Sequence, residues 1–272
     1  MSLHVDSYGY TGAGVSGTPL LLIHGWAMHG GMWSVVAERL AQHSDVLAVD
    51  LPGHGQSVGR DSSRQSSNVG MNPDLHLDSI VDQLSAQFDG PLNVCGWSLG
   101  GQVALRWAMR QPQQVNRLML VASTPCFVQR SDWQCAMAAE TLAEFDAALR
   151  QNHAQTLRRF LALQLRGGEQ ERELLAVLRD ALFSRGEPDL DALQQGLAIL
   201  RDCDLRSALP SITQPALIVA GGRDALAPLQ ASQYMVQQMP AAELVNIEAA
   251  AHAPFMSHAD IFVKHMVRFL HG

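Results

Sequence analysis

Cysteine is scarce in this chain: four in 272 residues, at positions 95, 126, 135 and 203. No pair has Cys-x-x-Cys spacing, so the common zinc and dithiol motifs are absent, and the four are expected as thiols of a reduced, cytoplasmic protein. There is no His-Glu-x-x-His, and no Gly-x-Gly-x-x-Gly follows an apolar run. Metallohydrolase and dinucleotide chemistry therefore lack their usual signatures, and no metal or cofactor is implied. Charged residues make up only 17% and the net charge is -7. That balance argues against a nucleic-acid partner or an anionic membrane surface. No apolar run approaches transmembrane length. The first dozen residues lack the basic-then-apolar order of a secretory signal, so none is expected. Internal repeats and low-complexity tracts are also missing.

The chain does contain a series of short apolar runs, at 20–23, 46–49, 92–95, 118–121, 216–219 and 244–247, several of them ending in glycine or aspartate. Near-continuous apolar runs of this length are strands buried on both faces, as in parallel sheets. Segments with helical spacing separate or follow them, at 33–42, 75–88, 99–110, 229–239 and 259–270. This alternation predicts an α/β protein with a mostly parallel, doubly wound sheet, whose ligands bind at the carboxyl ends of the strands. At this length one domain with an insertion is expected, with a core large enough to need no disulfide or metal. Residues 123–203 break the alternation and read as helices at 131–150, 153–166, 169–183 and 189–202. They are punctuated by Gly167-Gly168 and by Gly186-Glu187-Pro188. The expected organisation is thus a discontinuous core, 1–122 with 204–272, and a helical lid, 123–203. The polar stretch 60–68 is expected to be an exposed loop.

Between the third apolar run and the next helical segment stands Gly96-Trp97-Ser98-Leu99-Gly100. Strand, Gly-x-Ser-x-Gly, helix is the order of a nucleophile elbow, a turn so tight that only small residues flank the serine. By composition alone, with glycine and serine each near 7%, a chain this long matches the pattern by chance about one time in ten. The residues around it therefore matter. A serine nucleophile needs a base, an acid that orients the base, and donors for the developing oxyanion.

Asp224 follows run 216–219 through Gly221-Gly222-Arg223 and so sits at a strand's carboxyl end. Asp202 and Asp204 have no strand before them. His252 lies 28 residues after Asp224, just past run 244–247, among small residues in Ala250-Ala251-His252-Ala253-Pro254-Phe255. Ser98, Asp224 and His252 are the expected catalytic residues. His258 reads as the cap region of the last helix, and His24 as support for the loop that follows run 20–23. The oxyanion donors are expected from the backbone N–H of Leu99, next to the nucleophile, and of Trp26 in His24-Gly25-Trp26. The turn 50–57 reads as structural.

Together these residues resemble the α/β-hydrolase superfamily over essentially the whole chain. Trp26, the Gly96–Gly101 stretch, Val121-Ala122-Ser123-Thr124-Pro125-Cys126-Phe127, Arg159-Phe160-Leu161-Ala162-Leu163-Gln164 and the His252 segment are similar to the bacterial pimeloyl-[acyl-carrier protein] methyl ester esterases of biotin synthesis. That resemblance implies hydrolysis of a methyl ester on a pimeloyl group carried by acyl-carrier protein. It also implies a substrate site lined by Trp26, Ser98, Leu99, Phe160, Leu161, Ala162, Leu163, Gln164 and His252. The triad leaves other enzymes of the same fold open, a short-chain carboxylesterase acting on small esters or a carbon–carbon bond hydrolase, and also a ligand receptor on this scaffold. An aspartate-nucleophile dehalogenase does not fit, because Ser98 holds the nucleophile position.

Residues 147–168 hold Arg150, Arg158, Arg159 and Arg166 and no acid, in a chain whose net charge is -7. On one helix Arg159 and Arg166 share a face, opposite the apolar stripe Leu157, Phe160, Leu161 and Leu165. A solvated basic face fits this pattern. So does a site where Arg158, Arg159 and Arg166 dock an acidic carrier while the stripe receives its acyl chain. The expected partner is the carrier protein, and the expected state is a monomer.

Overall fold

The computed structural model describes residues 2–12, 17–58, 73–169 and 171–272. The stretch 60–68, expected as a polar loop, lies outside the described residues. Seven strands form one sheet: β1 (Val5–Tyr8), β2 (Leu20–Ile23), β3 (Val46–Val49), β4 (Leu92–Trp97), β5 (Val115–Val121), β6 (Ala216–Gly221) and β7 (Ala242–Ile247). Their spatial order is β1-β3-β2-β4-β5-β6-β7. All neighbours are parallel except β1, which runs antiparallel to β3. β2, β4 and β6 are buried at every residue, as their near-continuous apolar runs require, Asn93 of β4 being the one polar side chain.

The strand order makes a switch point. From β2 the chain steps outward to β3, then returns to the other side of β2 to form β4. The crevice between the carboxyl ends of β2 and β4 is where such sheets bind ligands. Trp26 follows β2 and Ser98 follows β4, so both flank that crevice.

Helices α1 (Ser34–Leu40), α2 (Pro73–Gln87) and α3 (Leu99–Arg110) lie in the first part of the chain. Four more, α4 (Ala139–Gln151), α5 (His153–Leu165), α6 (Glu171–Leu182) and α7 (Leu190–Asp202), lie between β5 and β6. α8 (Leu229–Gln238), the short α9 (Pro254–Ser257) and α10 (Ala259–His271) complete the chain. Apolar residues of α4–α7, among them Leu142, Phe160, Leu178 and Leu197, belong to the same contiguous core as the strands.

Most helix boundaries differ from expectation by one or two residues, and two of the differences bear on the site or the fold. The helix predicted over 131–150 begins only at Ala139. Before it, Arg130 and Trp133 exchange backbone hydrogen bonds (2.8 and 3.0 Å), and the Trp133 indole N–H donates to the Cys126 carbonyl. Trp133 and Ala136 are drawn into a small separate core with Ala231 and, at its edge, Tyr234. That packing holds the segment as a turn. The helix predicted over 153–166 ends at Leu165. Arg166 is the cap residue with ψ 125°, so it has left the helix, and Gly167 follows with φ +79°. The spacing between Arg159 and Arg166 therefore does not place them on one helical face. Among the described residues no helix is long and apolar enough to cross a membrane.

Candidate active site

Ser98 occupies the turn between β4 and α3 with φ +55° and ψ -116°, one of three non-glycine residues with positive φ among those described. A serine held in that region carries strain of about 1–3 kcal/mol, which the surroundings must hold in place. They do so at close range. A Cβ on Gly96 would collide with the Gly100 carbonyl, and one on Gly100 would stand 2.5 Å from the Ile23 carbonyl oxygen of β2. The Ser98 amide donates to the Val121 carbonyl of β5 (3.0 Å), and the Ser123 hydroxyl donates to the Ser98 carbonyl (2.8 Å). The elbow is thus pinned to the strands on both sides.

Asp224 follows β6 and His252 follows β7. Asp224 Oδ2 accepts a hydrogen bond from His252 Nδ1 at 2.8 Å. Its other oxygen accepts from the backbone N–H groups of Leu226 (2.8 Å) and Ala227 (3.0 Å). These two amides fix the carboxylate plane, so the remaining oxygen faces the imidazole. The pairing keeps the proton on Nδ1 and leaves Nε2 with its lone pair. Nε2 is buried and has no hydrogen-bond partner in the structure. Ser98 is 5% exposed and His252 1%, so bulk water is largely excluded from both.

The loop after β2 is braced as the sequence suggested. His24 Nδ1 donates to the Gly25 carbonyl (2.8 Å), and Nε2 accepts the Leu51 N–H (2.9 Å). The Trp26 indole N–H donates to the Leu193 carbonyl of α7 (2.9 Å), so only the Trp26 backbone amide is left as an oxyanion donor. Leu99 is the first residue of α3, where first-turn amides have no acceptor inside the helix. The Trp26 ring meets Phe160 of α5 edge-on, with centroids 4.7 Å apart. Phe160, Leu161 and Gln164 are buried, and Ala162 and Leu163 are half-buried. Arg158, Arg159 and Arg166 are exposed; Arg158 lies over the Phe183 ring and Arg159 over Phe145.

The rejected acids are engaged elsewhere, Asp204 with Arg206 (2.7 Å) and Asp202 with Arg201 (2.6 Å). His258 bonds the Ser257 hydroxyl. Among the described residues no group of three His, Cys, Asp or Glu is placed to hold a metal ion. A surface groove of about 410 Å³ between Arg117, Glu243, Arg268 and Phe269 lies by the amino ends of β5 and β7, away from Ser98.

Three contacts had no signature in the motifs. The Trp97 indole N–H, inside the elbow itself, donates to the His252 carbonyl (2.7 Å). The His252 amide donates to the Gln164 carbonyl of α5 (3.0 Å). Gly196 lets α7 approach the site, since a Cβ there would stand 2.6 Å from Trp26 Cδ1 and 3.4 Å from Leu99 Cδ2. Only the last left a trace in the sequence, a glycine in the middle of an apolar helix, where it costs about 1 kcal/mol relative to alanine.

The family described as alpha/beta hydrolase fold matches residues 18–259. Proteins named pimeloyl-[acyl-carrier protein] methyl ester esterase align along nearly their whole length. That of Nitrosomonas europaea is 43% identical over 264 residues, covering 97% of each chain. That of Chromobacterium violaceum is 38% identical over 270 residues, covering 99% of this chain and 98% of its own. An esterase from Exiguobacterium antarcticum superposes with a TM-score of 0.83 at 22% identity, covering 99% of this chain and 96% of its own. The enol-lactonase of Burkholderia xenovorans gives 0.80 at 22%, with the same coverage. At such identities the two structures speak for the fold alone. The chain belongs to the α/β-hydrolase fold family and, within it, to the pimeloyl-[acyl-carrier protein] methyl ester esterases.

Proposed function

We propose that this protein is a serine esterase that removes the methyl group from pimeloyl methyl ester carried on acyl-carrier protein, using Ser98, His252 and Asp224. The observation that carries the chemistry is the buried Asp224–His252 bond at 2.8 Å, with Nε2 left unpartnered, at strand ends of the sheet that also holds the elbow serine. The substrate rests on the relatives' names at 38–43% identity over full length.

His252 Nε2 takes the Ser98 proton as the hydroxyl oxygen attacks the ester carbonyl carbon. The carbonyl oxygen becomes an anion and is held by the backbone N–H groups of Trp26 and Leu99. The carbon–oxygen bond to the methoxy group breaks, and His252 hands its proton to the departing methanol. Water then attacks the acyl-serine with His252 again as base, and the free carboxylic acid leaves. Helices α4–α7, within the expected lid 123–203, cover the site. Phe160, Leu161, Ala162, Leu163 and Gln164 of α5 line the acyl path beside Trp26. Arg158, Arg159 and Arg166 face solvent, where an acidic carrier would meet them. The enzyme works as a cytoplasmic monomer.

Specificity constants for the pimeloyl-carrier methyl ester and for a free short-chain methyl ester test the assignment, with Ser98→Ala as the inactive control. The carrier-bound ester is expected to be preferred by at least tenfold, and Ser98→Ala to lose turnover on both while staying folded. Preference for the free ester points to a general carboxylesterase, and turnover by Ser98→Ala removes the nucleophile.

A further inference from the structure

The main chain of His252 is held between two parts of the protein that are far apart in sequence. Its N–H donates to the Gln164 carbonyl near the end of α5 (3.0 Å), and its carbonyl accepts from the indole N–H of Trp97, the residue before Ser98 (2.7 Å). The turn after α5 continues the contact. The Glu169 N–H donates to the Ala249 carbonyl (3.3 Å), and Arg223, next to Asp224, donates to the Gly167 carbonyl (3.2 Å). Gly168 lies against Ala251: a Cβ on Gly168 would stand 3.0 Å from the Ala251 Cβ and 3.3 Å from its nitrogen. The corner 164–169 therefore touches the loop bearing His252 and the loop bearing Asp224.

We propose that this corner is a positioning element for the general base, with Trp97 as its counterpart on the core side. It fixes the height of the His252 main chain above Ser98 and so the placement of Nε2. The inference rests on His252 being the base and adds that a part of the lid serves the chemistry itself. A lid that only seats the acyl chain matters to long substrates. A lid that places the base matters to every ester, including an acetyl ester that offers α5 a single methyl group.

Turnover of p-nitrophenyl acetate by the full chain is the test, expressed per serine titrated with a fluorophosphonate, so that misfolded protein is not counted. Gly168→Ala adds one methyl group at a position without a left-handed φ, so its effect is pressure on Ala251 and on the Leu165 carbonyl at the end of α5, the two sides of the contact. Misplacing a catalytic group by about 1 Å costs about 100-fold, and a shift of a few tenths of an ångström is expected to lower kcat by about tenfold. KM is expected to stay within twofold. Trp97→Phe keeps a ring against Trp33 and Phe255 but removes the donor, and is expected to act in the same direction. It also carries the test if Gly168→Ala does not fold. Wild-type kcat per titrated serine in the variants, or a rise in KM alone, overturns the proposal. His252→Ala separates the two levels: intact turnover there overturns the base assignment as well. An inactive His252→Ala beside fully active corner variants overturns the corner's role alone.

Discussion

Asp224→Asn should inactivate the enzyme without unfolding it, and the two ends of the side chain show why. The Leu226 and Ala227 amides both donate to Oδ1, so the asparagine must turn its carbonyl oxygen toward them. Its NH₂ group then faces His252 Nδ1, where Asp224 accepts a proton at 2.8 Å. Two N–H groups cannot share that contact. The imidazole has to present Nδ1 as acceptor and carry its proton on Nε2, which can then no longer take the Ser98 proton. The same exchange in serine proteases costs about 10⁴-fold in kcat, equivalent to about 5.4 kcal/mol of transition-state stabilisation. Asparagine has the same shape and keeps the two amide bonds, so Tm should move by no more than about 4 °C, the equivalent of roughly 1 kcal/mol. Hydrolysis of p-nitrophenyl acetate, measured above the Ser98→Ala background, reads the loss. Asp204→Asn serves as comparison and should keep its turnover, because Asp204 is spent on Arg206 and Arg130. A loss below tenfold in Asp224→Asn would falsify the assignment of the orienting acid.

Stability should fall as the solution is acidified from pH 7 to pH 5. Burial holds His24 well below the ordinary histidine value, and lowers His29 and His54 as well. The unfolded chain takes up protons below about pH 6.5 that the folded chain refuses, so stability is full above that value and is lost as pH falls through it. Asp78, lowered chiefly by its hydrogen bond from Arg106, contributes stability that is lost only below about pH 4, outside this window. A Tm unchanged from pH 7 to pH 5 contradicts the burial argument. Reversing charge at Arg158, Arg159 and Arg166 to glutamate should lower kcat/KM for the carrier-bound ester several-fold and flatten its decrease with added salt. A free short ester should be hydrolysed as before. Equal losses on both substrates would show that the arginines support the fold rather than meet the carrier.

What was legible in the sequence was local or tied to strand ends. The six apolar runs became β2 to β7; the inner ones are buried on both faces and carry their own signal, while β7, at the sheet edge, buries Val245 and Ile247 and exposes Asn246. β1 escaped because Val5-Asp6-Ser7-Tyr8 is an edge strand, held by antiparallel pairing to β3 rather than by an apolar run. The elbow was legible because its two glycines answer a steric demand of the turn. Asp224 and His252 were legible because the sheet brings the ends of β6 and β7 to the same edge as the end of β4. The contacts around His252 were not legible. Two of its supports use main-chain groups, which every residue has, and the Trp97 donor sits at a position where the elbow motif allows any residue. Residues 131–138 read as helix in the sequence because Ala231 and Tyr234, against which Trp133 and Ala136 pack, are far away in sequence.

The arginines of α5 and its cap are too exposed to hold a carrier by themselves. An exposed ion pair contributes about 0–1 kcal/mol, so three of them reach micromolar affinity only with help. They are suited to a different task. The Arg158 guanidinium lies over Phe183 and that of Arg159 over Phe145, at 5.9 and 5.8 Å from the ring centroids. Part of the ordering cost of each side chain is thereby met before any partner arrives. Preplaced charges of one sign on a molecule of net charge -7 steer an acidic partner to one face, and the effect falls on the association rate. In the proposed complex the remaining affinity would come from the acyl chain passing Phe160 and Trp26. On the proposed function, chain length would be read by an apolar surface, where each methylene is worth about 0.8 kcal/mol, and the carrier by charge. A short free ester would use neither contact but meet the same Ser98, so on the proposed function substrate choice and chemistry separate on this scaffold.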